Sequence, residues 1–364
     1  MGLQAGGNAG DSPNPGGRAA GAQPVISAQP VINAHLQLSV VMPVHNGADV
    51  LPKSLAPLLG MRRAGEIAEI IVVDDGSTDA SATIAASTPG VAVMHSGGRV
   101  GPGGARNVAA RAAVGDVLWF VDADVVVHDD AARVLSDAIR LTDAAAVFGC
   151  YDDRPAGTNF LSQYKNLVHH YYHRREPGEA ETFWAGCGAV RKEIFFASGG
   201  FDAITYPYPS IEDIELGFRL RERGHSIVLA PALQGTHLKV WRLPNLLHTD
   251  IFRRTLPWSR LILSRTGLHD VLNIGVAERV NAALAAILLV TLVLATATWV
   301  PWWTPLLALA VIAVGNRSLF DTFRGARGTL FAIAGVAFHQ IYYLYSTAVF
   351  VGCWLARSLR IKAR

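Results

Sequence analysis

Val117–Val125 reads VLWFVDADV, so an apolar run ends in two carboxylates, Asp122 and Asp124, placed two residues apart. In extended chain, residues i and i+2 point to the same side. Two carboxylates held together there repel, and burying them is costly unless a cation or hydrogen-bond donors compensate. A divalent ion does this with hard oxygen ligands, which suits Mg²⁺ or Mn²⁺. A solvated acidic turn leading into His128, Asp129 and Asp130 would explain the same letters without a metal. A second acidic strand end is Ile70–Asp79, IIVVDDGSTD. Asp74-Asp75-Gly76 makes a turn there, and Thr78 or Asp79 caps the next helix. That leaves Asp74 or Asp75 free to accept hydrogen bonds from a base N–H or a ribose hydroxyl. Gly101–Asn107, GPGGARN, opens a further helix, whose first amides together with Arg106 offer a diphosphate site. It is not the dinucleotide fingerprint, because Arg106 stands where the third glycine belongs, and the chain has no Gly-Lys-Ser/Thr phosphate loop.

The elements that must hold these residues alternate. Strand-like runs at Leu38–Met42, Ile67–Val73, Val91–Met94, Val117–Val121 and Ala145–Phe148 are separated by helical patterns at Val50–Met61, Asp79–Ala86, Ala105–Ala113 and Asp130–Leu141. Apolar strands alternating with helices predict an α/β fold, a mostly parallel sheet flanked by helices on both faces. Ligands of such sheets bind beyond the carboxyl ends of the strands, where the acids above fall. Residues 35–241 are read as this domain. Residues 1–34, rich in Gly, Ala and Pro and without an aromatic, read as a disordered tail. They lack the basic start and apolar run of a signal peptide, and Gly6 stands where a myristoylation signal needs Ser or Thr.

Composition says what lies beyond. Charged residues are 17% of the 364, against about 25% in soluble proteins, while 51% are hydrophobic. The balance of 32 basic to 29 acidic side chains leaves no basic field for nucleic acid. Three scattered cysteines make neither a disulfide framework nor a zinc site and suit a reducing compartment. The missing charge is concentrated late: Val280–Asn316 contains no Asp, Glu, Lys, Arg or His. As one helix it would run about 55 Å, well beyond a hydrocarbon core of about 30 Å. The proline break at Trp299–Trp303, WVPWW, divides it. Spans are expected near 280–298, 303–319 and 329–356 within a transmembrane region 279–364. An amphipathic interface segment, 242–278, precedes them, with Arg253, Arg254, Arg260 and Trp258 at an anionic membrane face. Arg317, Arg324 and Arg327 place their loop in the cytoplasm. The basic tail Arg357–Arg364 demands the same side, which three full spans do not satisfy, so a re-entrant segment is one solution.

The ordered motifs carry a resemblance. Val41–Gly47 (VMPVHNG), Asp74–Asp79, Arg106-Asn107 with Gly115-Asp116, and Asp122-Ala123-Asp124 resemble glycosyltransferase family 2. So do Trp184–Glu193 (WAGCGAVRKE), Gly199–Asp202 (GGFD) and Ile211–Arg219 (IEDIELGFR). The resemblance covers roughly Leu38–Trp241. It implies a GT-A fold and transfer of a sugar from a nucleotide-sugar, UDP-sugar foremost, with inversion. By that resemblance Pro43, Asn46, Asp74 or Asp75, Arg106, Asn107, Asp122 and Ala123 bind the nucleotide-sugar. Asp124, with Asp122 and His237, holds the Mg²⁺ or Mn²⁺. Trp184, Gly186, Lys239 and Trp241 belong to acceptor or donor-sugar loops, and Lys239 could meet a phosphate.

Asp213 is the general base in this reading, because inversion is a single displacement and the attacking hydroxyl must lose its proton. Glu212 beside it would raise its basicity by like-charge repulsion. Ser210–Asp213 also reads as a capping box at a helix start. His169, His170 and His173 have no metal-like spacing and are read as acceptor-side or structural.

The amphipathic and apolar segments point to a lipid or lipid-linked glycan acceptor at the cytoplasmic face of the cell membrane. The Gln-x-x-Arg-Trp motif of processive synthases is absent, so single transfer is expected. A polyprenyl-phosphate acceptor, already anionic, would need no base. A membrane scaffold with a degenerate transferase domain is the non-enzymatic alternative.

Overall fold

The computed structural model describes residues 36–175, 177–264 and 275–362. The expected tail, 1–34, lies outside them, as do residues 265–274 of the interface segment. Strands are β1 (Leu38–Val44), β2 (Glu69–Asp74), β3 (Ala92–His95), β4 (Val117–Val121), β5 (Val125–Val127), β6 (Ala146–Tyr151), β7 (Gly178–Glu179), β8 (Cys187–Arg191) and β9 (Ile227–His237). They form one sheet in the order β3-β2-β1-β4-β8-β6-β9-β5, with β7 on β9.

Side-chain alternation divides the core. Leu38, Val40 and Met42 of β1, Ile70 and Val72 of β2, and Val117, Trp119 and Val121 of β4 pack on one face. Val41, Ile71, Val73, Leu118 and Phe120 pack on the other. Both faces are therefore buried, and Trp119 and Phe120 are fully enclosed on opposite sides. Each such aromatic contributes about 2–3 kcal/mol of transfer free energy.

The helices are α1 (Leu51–Arg63), α2 (Ser81–Ser87), α3 (Gly101–Ala112), α4 (Ala131–Thr142), α5 (Phe160–Arg175), α6 (Lys192–Ala197) and α7 (Glu212–Glu222). Four of them match the helical patterns expected from sequence.

The sheet is mixed rather than mostly parallel. Pairs β2–β3, β1–β2, β1–β4 and β6–β9 are parallel, but β8 runs antiparallel between β4 and β6, and β5 and β7 run antiparallel to β9. Strand direction follows from how the chain returns after α5, which hydrophobic periodicity does not encode. The reversal has a local consequence: Val121 pairs with Cys187, so the end of β4 meets the start of β8. The Asp122 amide then donates to Gly186 O at 3.1 Å.

Beyond β9 come α8 (Leu243–His248), a π-helical turn (Thr249–Thr255), α9 (Leu256–Ser264), α10 (Val276–Thr296), α11 (Trp303–Gly315), α12 (Arg317–Arg327) and α13 (Thr329–Lys362). By length and composition, α10 is the one helix among the described residues able to cross a membrane. The span expected near 303–319 is not continuous. Helix α11 stops at Asn316, whose side-chain amide donates to Ile312 O, and α12 departs at 69°. At 13 residues α11 rises about 20 Å, short of a hydrocarbon core.

Leu319 and Phe323 of α12 pack with Tyr164 and Leu167 of α5. Arg327 donates to Gln163 Oε1 at 2.5 Å and to Asp153 O at 2.7 Å. The region expected as a third span is one continuous helix, α13. Its polar residues face protein: Tyr164 OH lies 2.8 Å from His339 Nδ1, and Tyr343 OH donates to Glu278 Oε2 at 2.5 Å.

Candidate active site

The carboxyl ends of β1, β2, β4 and β9 open onto a cavity of about 950 Å³. It is lined by Pro43, Asn46, Asp75, Arg106, Asp122, Ala123, Asp124, Trp184, Glu212, Asp213, His237, Lys239 and Trp241 among others. Most of the residues singled out from sequence thus converge on one space.

Between Asp74 and Asp75, the second faces the cavity. Its carboxylate accepts from the amides of Val100 and Gly101 at 2.8 and 2.9 Å and from Ser96 Oγ at 2.9 Å. Asp74 instead caps its own turn, accepting from Ser77 N at 3.2 Å. The first amides of α3, expected to cradle a diphosphate, are therefore occupied by Asp75. Asn46, at φ 52, accepts from Thr78 N on its side-chain oxygen at 2.8 Å and donates its backbone N–H to Ser77 Oγ at 3.0 Å, which ties the loops after β1 and β2. Asp79 accepts from Ser81 N and Ala48 N, but the cap expected at Thr78 or Asp79 is not formed there: the N-cap of α2 is Ala80, without a side-chain cap bond. Asn107 is placed differently from expectation. It pairs through both side-chain atoms with the backbone of Phe201, at 2.8 and 2.9 Å, outside the cavity lining.

Arg106, 3% exposed, joins two acids that are distant in sequence. Its Nη2 lies 2.5 Å from Asp122 Oδ1 and its Nη1 3.1 Å from Glu212 Oε1. Burial opposes its charge, but Asp122, Glu212 and Asp213 outweigh burial and hold the guanidinium protonated. Burial also pushes Asp122 and Glu212 up; Asp213's charge adds to the rise at Glu212, and Arg106 works against both.

Glu212 also accepts from Ser210 N at 2.9 Å. The capping box expected at Ser210–Asp213 does not form. Helix α7 starts after Ile211 without a side-chain cap, and Ser210 Oγ donates to Arg253 O at 2.9 Å. Asp213 accepts from Ala185 N at 3.1 Å and from Ile214 N at 2.8 Å, which fixes its carboxylate beside Trp184 at the cavity wall.

Among the described residues no group of three His, Cys, Asp or Glu is arranged to hold a metal ion. The expected set of Asp122, Asp124 and His237 is not assembled, because Asp122 is engaged by Arg106. Asp124 and His237 remain, with Oδ2 and Nε2 3.6 Å apart. Burial pushes Asp124 up, but His237 and Lys239 overcome it and hold the carboxylate below its ordinary range. One carboxylate and one imidazole on a cavity fit Mg²⁺ or Mn²⁺, which commonly take few protein ligands and complete their shell with phosphate and water.

Tyr151 stacks on His237 at 4.2 Å and meets Trp184 edge-on at 4.9 Å. Gly186 lies under the Trp184 ring; a Cβ there would come within 2.4 Å of it. Lys239 Nζ sits 4.3 Å over the Trp241 ring.

Sequence reasoning missed Tyr151, Lys165 and Asp250. Lys165 Nζ lies 2.5 Å from Asp250 Oδ1, and Asp250 Oδ2 accepts from Tyr345 OH at 2.8 Å. The interface segment therefore forms cavity wall as well as any outer surface: Asp250, Arg253, Arg254, Trp258 and Ile262 all line it. Asp250 is the one acidic residue between Arg242 and His269, and that isolation among apolar and basic residues was the available signal.

The family profile described as "Glycosyl transferase family 2" matches residues 39–196. Glycosyltransferase GlyG of Streptococcus pneumoniae serotype 4 is 31% identical over 31% of this chain and 38% of its own length. The poly(ribitol-phosphate) beta-glucosyltransferase of Bacillus spizizenii is 34% identical over 26% of this chain and 16% of its own. The chain thus spans well under two thirds of these relatives. Among solved structures, the mannosyltransferase PcManGT of Pyrobaculum calidifontis, in complex with GDP-Man and Mn²⁺, shares the fold at a TM-score of 0.55 and 18% identity over 87% of each chain. Residues 39–196 match the glycosyl transferase family 2 profile within a GT-A-like α/β fold, and the cavity opens at the strand ends of that matched region.

Proposed function

We propose that the chain is a metal-dependent, inverting glycosyltransferase that moves a sugar from a nucleotide-sugar to a hydroxyl of a lipid or lipid-linked glycan at the cytoplasmic face of the membrane. One observation carries this reading. The Asp213 carboxylate and the Asp124–His237 pair share a cavity that continues to Ile262, Ala282, Ala283 and Phe350 on α9, α10 and α13. A polar donor end and an apolar end in one space match an amphiphilic acceptor.

Asp213 takes the proton of the attacking hydroxyl, and the Ala185 amide at 3.1 Å keeps its carboxylate oriented. Asp75 offers its remaining lone pairs to the nucleotide. Arg106 holds Asp122 and Glu212 in place, so that their charges do not separate the strand end from α7. Asp124 and His237 are the residues that would hold Mg²⁺ or Mn²⁺, which supplies positive charge against the diphosphate leaving group.

Membrane association is supported by the length and composition of α10 and by exposed Leu289, Val290 and Val293 on its surface. The cytoplasmic placement is supported by Arg327. Its bonds to Gln163 and Asp153 keep the arginine-bearing helix on the side of the catalytic domain. The test is a panel of UDP- and GDP-sugars with the purified chain, Mn²⁺ or Mg²⁺ and total membrane lipids, read by mass spectrometry of the lipids. A lipid gaining one hexose or related unit is expected; unmodified lipids with every donor would contradict the reading.

A further inference from the structure

Tyr151 closes β6 with its ring stacked on His237, the centroids 4.2 Å and the planes 12° apart. Trp184 meets it edge-on at 4.9 Å, and His169 packs on it at 4.3 Å. The residue lines the cavity and is 9% exposed, so its ring is held by protein on most sides.

The register of two strands brings the rings together. β6 and β9 run parallel, and Tyr151 pairs with Gly235, two residues before His237. Residues i and i+2 of a strand share a face, so His237 stands diagonal to Tyr151 on the same side of the sheet. That pairing depends on a bulge. From Leu229 to Gln234 β9 advances five residues, while β6 advances two, from Phe148 to Cys150. Continued without the bulge, the register of Phe148 with Leu229 would set Tyr151 against Ala232. His237 would then fall on the opposite face, because an odd shift exchanges the faces of a strand.

The surrounding residues hold the bulge in place. A Cβ on Gly149 would collide with Leu233 O, so only glycine admits the extra chain. Gln234 Nε2 donates to Pro231 O at 3.0 Å across the bulge. From the other side α5 grips β6: His173 Nδ1–H donates to Gly149 O at 3.0 Å, and His170 Nδ1–H donates to Tyr151 O at 2.7 Å.

An imidazole that holds a metal must keep its lone pair aimed, and contacts made by the rest of the ring set that aim. The Nε2 atom of His237 lies 3.6 Å from Asp124 Oδ2. Rotation about χ2 would carry it away, and a ring stacked on the imidazole face opposes that rotation. We propose that Tyr151 is a positioning residue for the metal pair, its stacked ring fixing the plane of His237 so that Nε2 and the Asp124 carboxylate stay aimed at one point. The proposal rests on the reading of Asp124 and His237 as the residues that would hold Mg²⁺ or Mn²⁺, and it assigns the work to the ring face rather than to the hydroxyl.

The test measures UDP binding to the full chain in amphipol by calorimetry, against Mn²⁺ concentration and in EDTA. In Tyr151→Leu the Mn²⁺ concentration giving half-maximal enhancement is expected to rise about tenfold, with metal-free UDP affinity within about twofold of wild type. Tyr151→Phe, which keeps the ring, is expected to need the wild-type Mn²⁺ concentration within about twofold. An unshifted Mn²⁺ requirement in Tyr151→Leu overturns the proposal. So does an equal loss of metal-free UDP affinity, which would show a purely structural role, and so does a tenfold rise in Tyr151→Phe, which would move the role to the hydroxyl. If Tyr151→Leu lacks a cooperative melting transition, Tyr151→Met is held to the same outcome, and the Tyr151→Phe arm is read in either case. A wild-type chain whose UDP affinity ignores Mn²⁺ overturns the metal reading itself, a result distinct from an effect that survives loss of the ring.

Discussion

Arg106 Nη1 lies 3.1 Å from Glu212 Oε1, and both side chains are buried. Through its other terminal nitrogen the same guanidinium holds Asp122 at 2.5 Å, so one cation joins the end of β4 to the start of α7. Removing a single partner from a buried ionic cluster leaves uncompensated charge. Arg106→Ala is expected to cost about 3–5 kcal/mol of stability, and Glu212→Gln, which removes one of two acids, distinctly less. Chemical denaturation of the two variants checks the ordering.

Asp124 and His237, with Oδ2 and Nε2 3.6 Å apart, are the pair proposed to hold the metal. Asp124→Ala is expected to remove the enhancement of UDP binding by Mn²⁺ while leaving metal-free UDP affinity within about twofold. Calorimetry with and without Mn²⁺ measures both. An undiminished Mn²⁺ effect would exclude Asp124 as a ligand.

Gly186 is confined by Trp184, whose ring a Cβ would approach to 2.4 Å. Gly186→Ala displaces that ring and the wall beside Asp213. The expected cost is about 1–3 kcal/mol by overpacking, with reduced transfer in a variant that still folds. Melting temperature and turnover, measured together, check it.

His173 Nδ1–H donates to Gly149 O at 3.0 Å, and burial pushes its imidazole down to about 4 from an ordinary 6.5. Between those values the unfolded chain binds the proton that the folded chain refuses, so stability rises with pH across that window. Above pH 6.5 the contribution is constant. His173→Phe is expected to flatten the acid limb of melting temperature against pH between about 4 and 6.5; an unchanged slope would show that other groups set it.

Much of this site is legible in the sequence because its acids follow apolar strands. The continuous apolar runs of β1, β2 and β4 located the strand ends, and the strand ends located Asp74 or Asp75, Asp122 and Asp124. What stayed hidden depends on distant chain. The antiparallel insertion of β8, which brings Gly186 to Asp122, is not encoded in any local period. Asn107 sits within a motif read as nucleotide-binding, yet Phe201 claims both ends of its amide. The late hydrophobic run fixed the existence of helices but not their division. The stop at Asn316 and the docking of α12 on α5 depend on tertiary packing around Leu319 and Phe323.

The central claim is that Asp213 takes the acceptor's proton. The decisive measurement is single-turnover transfer by Asp213→Asn beside its affinity for the donor nucleotide. The account predicts a loss of about 10²–10⁴-fold in the transfer rate with UDP affinity close to wild type. Transfer by Asp213→Asn at the wild-type rate would contradict it and favour an acceptor, such as a lipid phosphate, that is already ionised.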